Sequence, residues 1–402
     1  MAGYLFTFGD EPSLFESIKR GSYSTLMNPK WNDTVASTLG DYVTMRPGDS
    51  VYFFSKRTIY GVGEIVAVTA ETVAAETYEG ASLKPKVEYA FINLNSIVEN
   101  PVVKTEGGEK VKRWVITFKP SPHFFATGID MDDLLLSDPK AFRSLRVFER
   151  RSFIKLDDEE DAAFKAALLR RNIKALYNPT SESVLCCDFE ETLEKYRARI
   201  GSRDVTPNIP GLLASSRKQN GALTSEMLLE VGLLYQLTNH DEQTEAIFGA
   251  WDYLSHQVAA SPMKPVQWVD RIDVFAFRYI EGHAPIVESY GIVELKKDTV
   301  TGNDIQQVMK YVDWVNREYG TGDYSLIEAF LVGRDFDAES MEALADTAER
   351  KYTVGRPARP EEWHSLRFIE YRTDESGRIS FTEVCFGSES AESNQDTFSL
   401  FE

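Results

Sequence analysis

Five residues in the C-terminal half of the chain have the types and the spacing that phosphodiester hydrolysis needs. Asp273 lies in one apolar, β-rich run, and Glu294 and Lys296 lie in the next. Gln307 and Tyr311 follow at the spacing of one helical turn. Two carboxylates, a lysine, an amide and a phenol in this order suit a metal-dependent phosphodiesterase. The sequence therefore predicts a nuclease as the leading function.

The residue types follow from the chemistry of the bond. A phosphodiester resists hydrolysis because its anionic oxygens repel a nucleophile, and a hard divalent ion offsets that charge and activates a water. Mg²⁺ prefers oxygen ligands and is held by one or two carboxylates together with substrate phosphate. Asp273 and Glu294 are the predicted ligands for Mg²⁺ or Mn²⁺. Lys296 is predicted to orient or deprotonate the water and to offset charge in the transition state.

Two strands and a turn are predicted to hold the carboxylates. β-Branched residues surround Asp273 and Glu294, and residues 281–285 (Glu-Gly-His-Ala-Pro) form the turn between them. Side chains alternate across a strand, so Glu294 and Lys296 are expected to point to the same face.

A helix is predicted to carry the amide and the phenol. Residues 302–304 (Gly-Asn-Asp) provide a start and Gly320 provides a stop. Gln307 and Tyr311 are four residues apart and therefore lie on one face of that helix. They are expected to hydrogen-bond to the strand of Lys296 or to a substrate phosphate.

The order of these elements is more informative than any one of them. A Glu-Leu-Lys tripeptide alone occurs by chance in many strands and helices. The full series is an Asp, a hairpin, Glu-x-Lys and a helix with Gln-x-x-x-Tyr. Residues 223 to about 335 thereby resemble the RecB-like branch of the PD-(D/E)xK nucleases, in particular the C-terminal domain of the NucS-type, mismatch-cleaving endonucleases. The five residues fall one by one on that pattern, and the resemblance implies a restriction-endonuclease-like αβββαβ core.

The same resemblance implies an acidic residue on the helix before the first strand. The predicted helix over 224–235 offers Glu226 and Glu230 on one face. Glu226, next to the Thr-Ser cap, is the favoured catalytic candidate. A solvated helix face, or a first-turn charge near the helix dipole, explains either glutamate equally well.

The composition bounds the class of protein. The chain has 402 residues, of which 43% are hydrophobic, enough for two or three domains with sizeable cores. The sequence has no apolar run long enough to span a bilayer, and its N-terminus does not resemble a secretory signal. Three cysteines make no disulfide framework, and the adjacent Cys186 and Cys187 are expected to be packed. A cytoplasmic protein without a membrane partner is predicted.

The net charge is the main objection to a nuclease. The formal charge is −19, whereas proteins that bind nucleic acid usually carry a basic footprint. Part of the negative charge belongs to the stretch from Asp374 onward, and a bound metal neutralises the carboxylates of the site. Basic clusters remain over 143–151 and at Lys296–Lys297, although a solvated surface explains these equally well.

The N-terminal half, residues 1–172, is predicted to be β-rich. A turn and a strand are predicted over 45–55, with further strands over 59–68, 86–94 and 113–118. Glycines in the strand over 59–68 suit a bulge or a barrel bend. A helix is predicted over 157–171, because its start is acidic and its end is basic.

The remaining segments complete the predicted domain organisation, which is multidomain, α+β and α/β. Residues 173–222 are predicted to be a helical connector and linker, with a helix over 181–200. The C-terminal domain is predicted over 223–386, and its last elements are a strand over 324–332, a helix over 338–352 and a hairpin of 366–371 with 379–384. Residues 387–402 form an acidic tail that is predicted to be disordered.

Short motifs in the N-terminal half resemble the EVE/YTH group of PUA-like domains. These motifs are 6–12 (Phe-Thr-Phe-Gly-Asp-Glu-Pro), 31–33 (Trp-Asn-Asp), 48–55, 60–66 and 150–156. The resemblance covers most of residues 1–170. It implies a PUA-like β-barrel with helices, which binds a flipped and often modified base in an aromatic-lined pocket.

Such a pocket needs flat apolar walls for stacking and a few polar groups for the base edge. Trp31 lies in a polar, loop-like setting and is the predicted stacking residue, with an ordinary core position as the alternative. Phe53 and Phe54 alternate on their strand, so one is expected in the core and the other, taken as Phe54, in a cleft. The candidates for the base edge are Asn32, Asp33 and Ser55.

These observations predict a modification-dependent DNA endonuclease that restricts foreign DNA such as phage DNA. One alternative is a repair endonuclease that recognises a lesion or a mismatch. A second is a nucleic-acid-binding adaptor whose nuclease fold does not cut. The intact set of Asp273, Glu294 and Lys296 argues against the adaptor, but no sequence feature separates the first two or decides between DNA and RNA. A double-strand cut usually needs two active sites, which is compatible with a homodimer.

Overall fold

The described residues form two large mixed sheets flanked by helices, one in each half, together with three two-stranded sheets. The computed structural model describes residues 2–20, 22–26, 32–71, 102–105, 108–111, 113–120, 127–143, 153–177, 209–261, 268–338, 341 and 345–385. The predicted mixed, multidomain α+β class is confirmed at this level. In these ranges, no helix combines the length and the apolar character that crossing a bilayer requires.

The helices flank the two sheets. They are α1 (Glu11–Arg20), α2 (Asn32–Thr44), α3 (Met131–Ser137), α4 (Asp158–Arg171), α5 (Ile173–Tyr177), α6 (Ile209–Ser215), α7 (Glu226–Thr238), α8 (Glu242–Phe248) and α9 (Gly302–Glu318). Short 3₁₀ turns cover Tyr324–Leu326 and Ala345–Ala348.

The strands of the N-terminal half are β1 (Gly3–Phe8), β2 (Ser22–Leu26), β3 (Ser50–Ser55), β4 (Thr58–Glu71), β5 (Val102–Thr105), β6 (Gly108–Val111), β7 (Arg113–Pro120), β8 (Ile129–Asp130) and β9 (Phe153–Leu156). Those of the C-terminal half are β10 (Tyr253–Ala259), β11 (Arg271–Tyr279), β12 (Val287–Leu295), β13 (Thr299–Val300), β14 (Ile327–Gly333), β15 (Asp335–Phe336), β16 (Arg350–Val354), β17 (Arg359–Trp363), β18 (Leu366–Thr373) and β19 (Ile379–Val384).

The N-terminal sheet has the strand order β2-β7-β4-β3-β1-β9, and β8 pairs with β4. β1 and β3 are parallel, and the other neighbours are antiparallel. Tyr52 pairs with Val62 and Phe53 with Tyr60, so Gly61 is an extra residue on β4, a bulge of the kind that the glycines predicted. Strands β2 and β9 lie at the two edges of this sheet. The pairings among the described strands therefore do not by themselves close the sheet into a barrel.

Strand β3 is buried on both faces. Phe53 packs with Phe6 and Phe118 in one cluster, while Phe54 packs with Leu5 and Ile59 in another. Alternation along the strand places the two phenylalanines on opposite faces, as predicted. The expectation that one of them faces a cleft is wrong, because helices α3 and α4 cover the face that contains Phe54.

The C-terminal sheet has the order β10-β11-β12-β14-β18-β19. Strands β10, β11 and β12 form an antiparallel meander after α7, and α9 then crosses over to β14, which is parallel to β12. A short turn joins antiparallel neighbours, whereas parallel neighbours need a long crossover such as this helix. Apart from the short helix α8 and the two-residue strand β13, the order of elements matches the predicted αβββαβ series.

Helix α9 begins where the sequence predicts. The backbone N–H of Thr301 donates to Asp304 Oδ2 at 2.8 Å, which closes a capping box. The apolar side chains of Val308, Val312 and Val315 are buried, and α9 packs against β12 and β14 of the sheet. The helix ends at Glu318, two residues before the predicted stop.

The segment after β14 departs from the prediction. Residues Ala345–Ala348 form a 3₁₀ turn, and Arg350–Val354 is strand β16, paired with β17. The predicted helix over 338–352 is therefore wrong at its C-terminal end. Trp363 explains the hairpin, because its ring is buried and its Nε1 donates to the carbonyl oxygen of Ile327 at 2.8 Å. The predicted final hairpin is confirmed as β18 and β19.

Several predictions fall outside the described residues. They are the strand over 86–94, the helix over 181–200 with Cys186 and Cys187, and the acidic tail over 387–402.

The two halves share one interface. Helix α2 packs against α7 and β10, and a single cluster of buried apolar side chains extends through both sheets. Lys155 Nζ donates to the carbonyl oxygen of Leu254 at 2.5 Å across this interface. The Arg46 guanidinium donates to the carbonyl oxygen of Thr238 in the same region. The N-terminal half is thus held directly against the edge of the C-terminal sheet.

Candidate active site

The two predicted carboxylates lie beside each other on neighbouring strands. Val274 of β11 pairs with Val293 of β12, and Asp273 and Glu294 are the next residues beyond that pair. Asp273 Oδ2 accepts a hydrogen bond from the backbone N–H of Leu295 at 2.8 Å. The register of the meander thus brings together the carboxylates that the sequence separates by a hairpin.

Lys296 completes the group. Its Nζ donates to Glu294 Oε1 at 2.6 Å and to Gln307 Oε1 at 3.4 Å. Asp304 Oδ1 lies 3.7 Å from the same Nζ. The ammonium therefore lies between the strand that holds Glu294 and the first turns of α9.

Gln307 and Tyr311 face this group, as predicted. Gln307 Nε2 donates to Tyr311 Oη at 2.9 Å, while Gln307 Oε1 accepts from Lys296. The amide thus uses both of its ends, one for the phenol and one for the ammonium. The predicted Gln-x-x-x-Tyr pair is confirmed as a neighbour of Lys296.

If the predicted phosphodiester hydrolysis takes place at this site, the Gln307→Ala variant is expected to slow it about tenfold, a change of about 1.4 kcal/mol in the barrier. The reason is that Lys296 loses one of the acceptors that fix its position. Initial rates at saturating metal measure the effect. Gln306→Ala is the matched control, since Gln306 precedes it on α9 and is exposed to solvent. Equal rates for the two variants would show that Gln307 does not position Lys296.

The structure separates the roles of the two glutamates on α7. Glu230 is buried, and its Oε2 accepts from Gln257 Nε2 at 2.7 Å. The same Nε2 donates to Asp273 Oδ1 at 3.0 Å. Glu226, which the sequence favours, is exposed in the first turn of the helix, and its charge helps to raise the pKa of Glu294. Hydrogen bonds connect Glu230, rather than Glu226, to the predicted metal ligands.

Gln257 is a site residue that the sequence did not indicate. The register of β10 and β11 places it opposite Asp273, and its φ of 52° is a left-handed conformation that is unusual for a residue other than glycine. Its side-chain amide holds Glu230 and Asp273 together. An unusual backbone at this point is consistent with a functional constraint on the position of the amide.

A buried ionic clamp lies directly behind Gln257, and we call it the His256 clamp. His256 Nδ1 lies 2.5 Å from Glu230 Oε1, and its Nε2 lies 3.2 Å from Asp41 Oδ1 of α2. Burial alone lowers the pKa of His256, but the two carboxylates outweigh it and raise the pKa to about 9, so the imidazole is charged at neutral pH. Gly40 lies against the ring, since a Cβ there would come within 2.9 Å of His256 Cε1.

The carboxyl groups of the site titrate abnormally. Burial, followed by the charges of Glu294 and Glu230, raises the pKa of Asp273 well above its ordinary value. Burial raises the pKa of Glu294 to about 7, although Lys296 opposes the shift. Burial lowers the pKa of Lys296, but attraction to Glu294 prevails and the net direction is upward. Lys296 is therefore a cation at neutral pH. The raised pKa values of Asp273 and Glu294 mean that an added positive charge would stabilise their ionised forms.

The donor set fits a hard divalent cation. Among the described residues, no three Asp, Glu, His or Cys side chains are grouped to hold a metal ion. Two carboxylates suffice for Mg²⁺, which keeps several waters and accepts substrate oxygens. Glu294 Oε2 is buried and has no hydrogen-bond partner within the described part of the chain. An unpaired buried carboxylate oxygen costs free energy, which a bound Mg²⁺ or Mn²⁺ would remove.

The predicted base pocket of the N-terminal half is only partly described. Trp31 lies outside the described residues, and Asn32 and Asp33 begin α2 with side chains that are likewise outside the description. Phe54 and Ser55 are both buried, Phe54 in the core and Ser55 fully enclosed. Neither is placed to contact a base without a rearrangement of the sheet, so the predicted roles of these two residues are corrected.

Comparison with known proteins adds little to the geometry. No protein-family model and no curated protein matches the chain. A solved structure of a hypothetical protein from Leishmania major is 15% identical, with 43% of this chain and 97% of that chain covered and a TM-score of 0.29. A crystal structure of a protein from Agrobacterium tumefaciens is 13% identical, with 42% and 94% covered and a TM-score of 0.24.

Proposed function

We propose that the protein is a metal-dependent DNA endonuclease that cuts DNA carrying a modified base, as in the restriction of foreign DNA. The observation that carries the proposal is the contact between Glu294 and Lys296, with Asp273 beside them and one buried oxygen of Glu294 unpaired among the described residues. A structural ion pair between Glu294 and Lys296 would not need Asp273, whose pKa is raised because burial and the neighbouring carboxylates disfavour its charged form. Perturbed acids of this kind occur preferentially at functional sites.

The residues have separate roles in the proposed reaction. Asp273 and Glu294 would hold Mg²⁺ or Mn²⁺, which would supply charge to offset that of the phosphate and to activate a water. Asp273 is kept in place by Gln257 and by the N–H of Leu295. Lys296 is a cation at neutral pH and is therefore a hydrogen-bond donor to the attacking water or to the phosphoryl oxygens, rather than a base. Gln307 fixes the position of that donor.

The choice of a modified base rests on the N-terminal half. Its motifs resemble the PUA-like base readers, and its sheet is compatible with such a domain. The direct interface between the halves supports a protein in which recognition and cutting occur together. A repair endonuclease that recognises a lesion or a mismatch shares the same cutting residues and is the second candidate.

Digestion of a DNA panel tests the proposal. Plain duplexes, duplexes with modified cytosines or adenines, and mismatched duplexes are incubated with the full-length protein and Mg²⁺ or Mn²⁺, with metal chelation as the control. We expect metal-dependent cleavage that is at least about tenfold faster on one of the modified duplexes, a difference of about 1.4 kcal/mol. A preference for mismatches alone would favour repair, and binding without any cleavage would favour the non-cutting adaptor.

A further inference from the structure

A cavity lies at the junction of the two halves, and its lining does not include the proposed metal ligands. Its volume is about 470 Å³, within the range of small-molecule sites. Its aromatic walls are Phe277, Tyr279, Tyr290 and Tyr319. Its polar lining comes from Arg143, Asp157, Asp158 and Glu159 of the N-terminal half. We call it the junction cavity.

The junction cavity opens on the same face of the sheet as the candidate active site. Asp273 and Phe277 are separated by an even number of residues on β11, as are Tyr290 and Glu294 on β12, so their side chains share one face. Phe277 is four residues from Asp273, a distance of roughly 14 Å along the strand. Stacked bases in one DNA strand are about 3.4 Å apart. One DNA strand could therefore place one nucleotide at the candidate active site and another, a few bases away, at the junction cavity.

The aromatic rings form walls rather than a closed stack. The Tyr290 and Tyr319 rings are 5.4 Å apart at 49°, and the Phe277 and Tyr290 rings are 6.5 Å apart at 73°. The Arg143 guanidinium lies 4.5 Å from the centre of the Tyr319 ring. Flat surfaces at these angles suit a planar, unsaturated ligand, which can stack on one ring and meet the edge of another.

The polar groups provide acceptors beside a donor. Arg143 Nη1 lies 2.8 Å from Glu159 Oε2 and 3.6 Å from Asp157 Oδ2. Tyr279 donates its hydroxyl hydrogen to Asp158. Three carboxylates against one guanidinium disfavour a phosphate in the cavity but favour a heterocycle that presents N–H donors. Carboxylates accept from exocyclic amino groups of bases, as Asp and Glu do from cytosine N4.

Two exposed isoleucines are adjacent in the chain to residues that line the cavity, Ile280 to Tyr279 and Ile286 to Val287. Ile280 and Ile286 are 41% and 59% exposed, and they flank the turn between β11 and β12. The N–H of Ile280 donates to the carbonyl oxygen of Ile286 at 2.9 Å, which holds the two side by side. Pro285, in the same turn, lines the cavity. Exposed apolar side chains of this kind can wedge between base steps and unstack them.

We infer that the junction cavity binds an extruded nucleobase that carries an exocyclic amino group, and that Ile280 and Ile286 fill the gap it leaves in the duplex. The inference rests on the proposed function and identifies the part of the substrate that this face of the sheet contacts. The base would touch both halves of the protein, because the walls belong to the C-terminal sheet and the acceptors belong to α4 and the residue before it.

Binding without metal tests the cavity separately from cleavage. Fluorescently labelled single strands of thymidine alone, or with one central deoxycytidine, deoxyadenosine or deoxyguanosine, are titrated with the full-length protein. We expect the strands with an amino base to bind at least about fivefold more tightly than thymidine alone. Tyr290→Ala should remove most of that preference, and Tyr290→Phe should keep it, because the ring rather than the hydroxyl forms the wall.

The controls use exposed residues elsewhere. Tyr177→Ala removes an exposed tyrosine on α5 and should keep the preference. Ile286→Ala should weaken binding to duplexes but not to single strands, whose bases need no unstacking. Ile173→Ala, also exposed on α5, should change neither. Thermal melting confirms that each variant is folded.

Two results would overturn the inference. One is equal binding of all four single strands by the wild-type protein. The other is an equal preference in folded Tyr290→Ala and Tyr177→Ala. If the protein still shows metal-dependent cleavage with either of these results, the proposed nuclease function stands and the role of the cavity is wrong. If it shows a clear preference for amino bases but no cleavage with any metal, the role of the cavity stands and the nuclease function is wrong.

Discussion

The Lys296→Ala variant is expected to cut DNA at least about a thousandfold more slowly than the wild-type protein at saturating Mg²⁺. Lys296 Nζ lies 2.6 Å from Glu294 Oε1, inside the candidate site, and its side chain is 20% exposed. Alanine leaves no charge at that position to orient the attacking water or to stabilise the phosphoryl oxygens as charge builds on them. Initial cleavage rates on the preferred duplex measure the loss.

The neighbouring lysine provides the matched control. Lys297 is more exposed, and its Nζ lies 3.9 Å from Asp298, so Lys297→Ala should cut at close to the wild-type rate. Asp273 and Glu294 remain in Lys296→Ala, so Mg²⁺ should still stabilise that variant against thermal unfolding. Equal losses in the two lysine variants, or full activity in Lys296→Ala, would contradict the assigned role.

The Asp273→Asn variant is expected to lose the stabilisation that Mg²⁺ gives to the folded protein. A ligand at about a hundredfold above its dissociation constant stabilises by about 2.7 kcal/mol, and the asparagine should remove most of that. Without metal the same variant should lose less stability than the wild-type protein as the pH rises, because an asparagine side chain cannot ionise at the buried position beside Glu294. Thermal melting with and without Mg²⁺ measures both effects.

The direction of the pH dependence follows from the raised pKa values. Glutamate in an unfolded chain titrates near about 4.3, whereas Glu294 in the folded protein titrates at about 7. Between these values the folded state holds the extra proton, so the metal-free protein loses stability as the pH rises. Mg²⁺ binds the ionised carboxylates, so its stabilising effect should grow over the same interval.

Asp298→Asn is the control for this experiment, because Asp298 is exposed and lies outside the carboxylate pair. It should keep both the Mg²⁺ effect and the pH dependence of the wild-type protein. If Asp273→Asn were also stabilised by Mg²⁺ to the wild-type extent, Asp273 would not be a metal ligand.

The part of the site that the sequence predicts is the part set by local periodicity. Strand alternation places Glu294 and Lys296 on one face, and helical spacing brings Gln307 to Tyr311. Asp273 joins Glu294 and Lys296 through the pairing of β11 with β12. These two strands are consecutive in the chain and are joined by a short turn, so this pairing is also a local one. These relations depend on a few consecutive residues, so a pattern in the sequence can show them.

The rest of the site depends on contacts between distant segments. Gln257 reaches Asp273 because of a backbone conformation that its residue type does not favour. His256 meets Asp41 only because the two halves pack together. The helix predicted over 338–352 was wrong at its C-terminal end for a related reason, since pairing with β17 and burial of Trp363 outweigh the local helix preference. Phe54 is buried because both faces of its strand are covered.

The His256 clamp has a consequence for how such a protein can change by recombination. Asp41 and Gly40 belong to the N-terminal half. Asp41 pairs with His256, and Gly40 leaves room for the imidazole ring. The other partner of His256 is Glu230, which accepts from the same side-chain amide of Gln257 that donates to Asp273. A chimera with a different N-terminal half would leave a charged imidazole buried with one carboxylate fewer, a costly arrangement. A chimera that keeps this clamp would therefore have to carry both the glycine and the aspartate in its new N-terminal half.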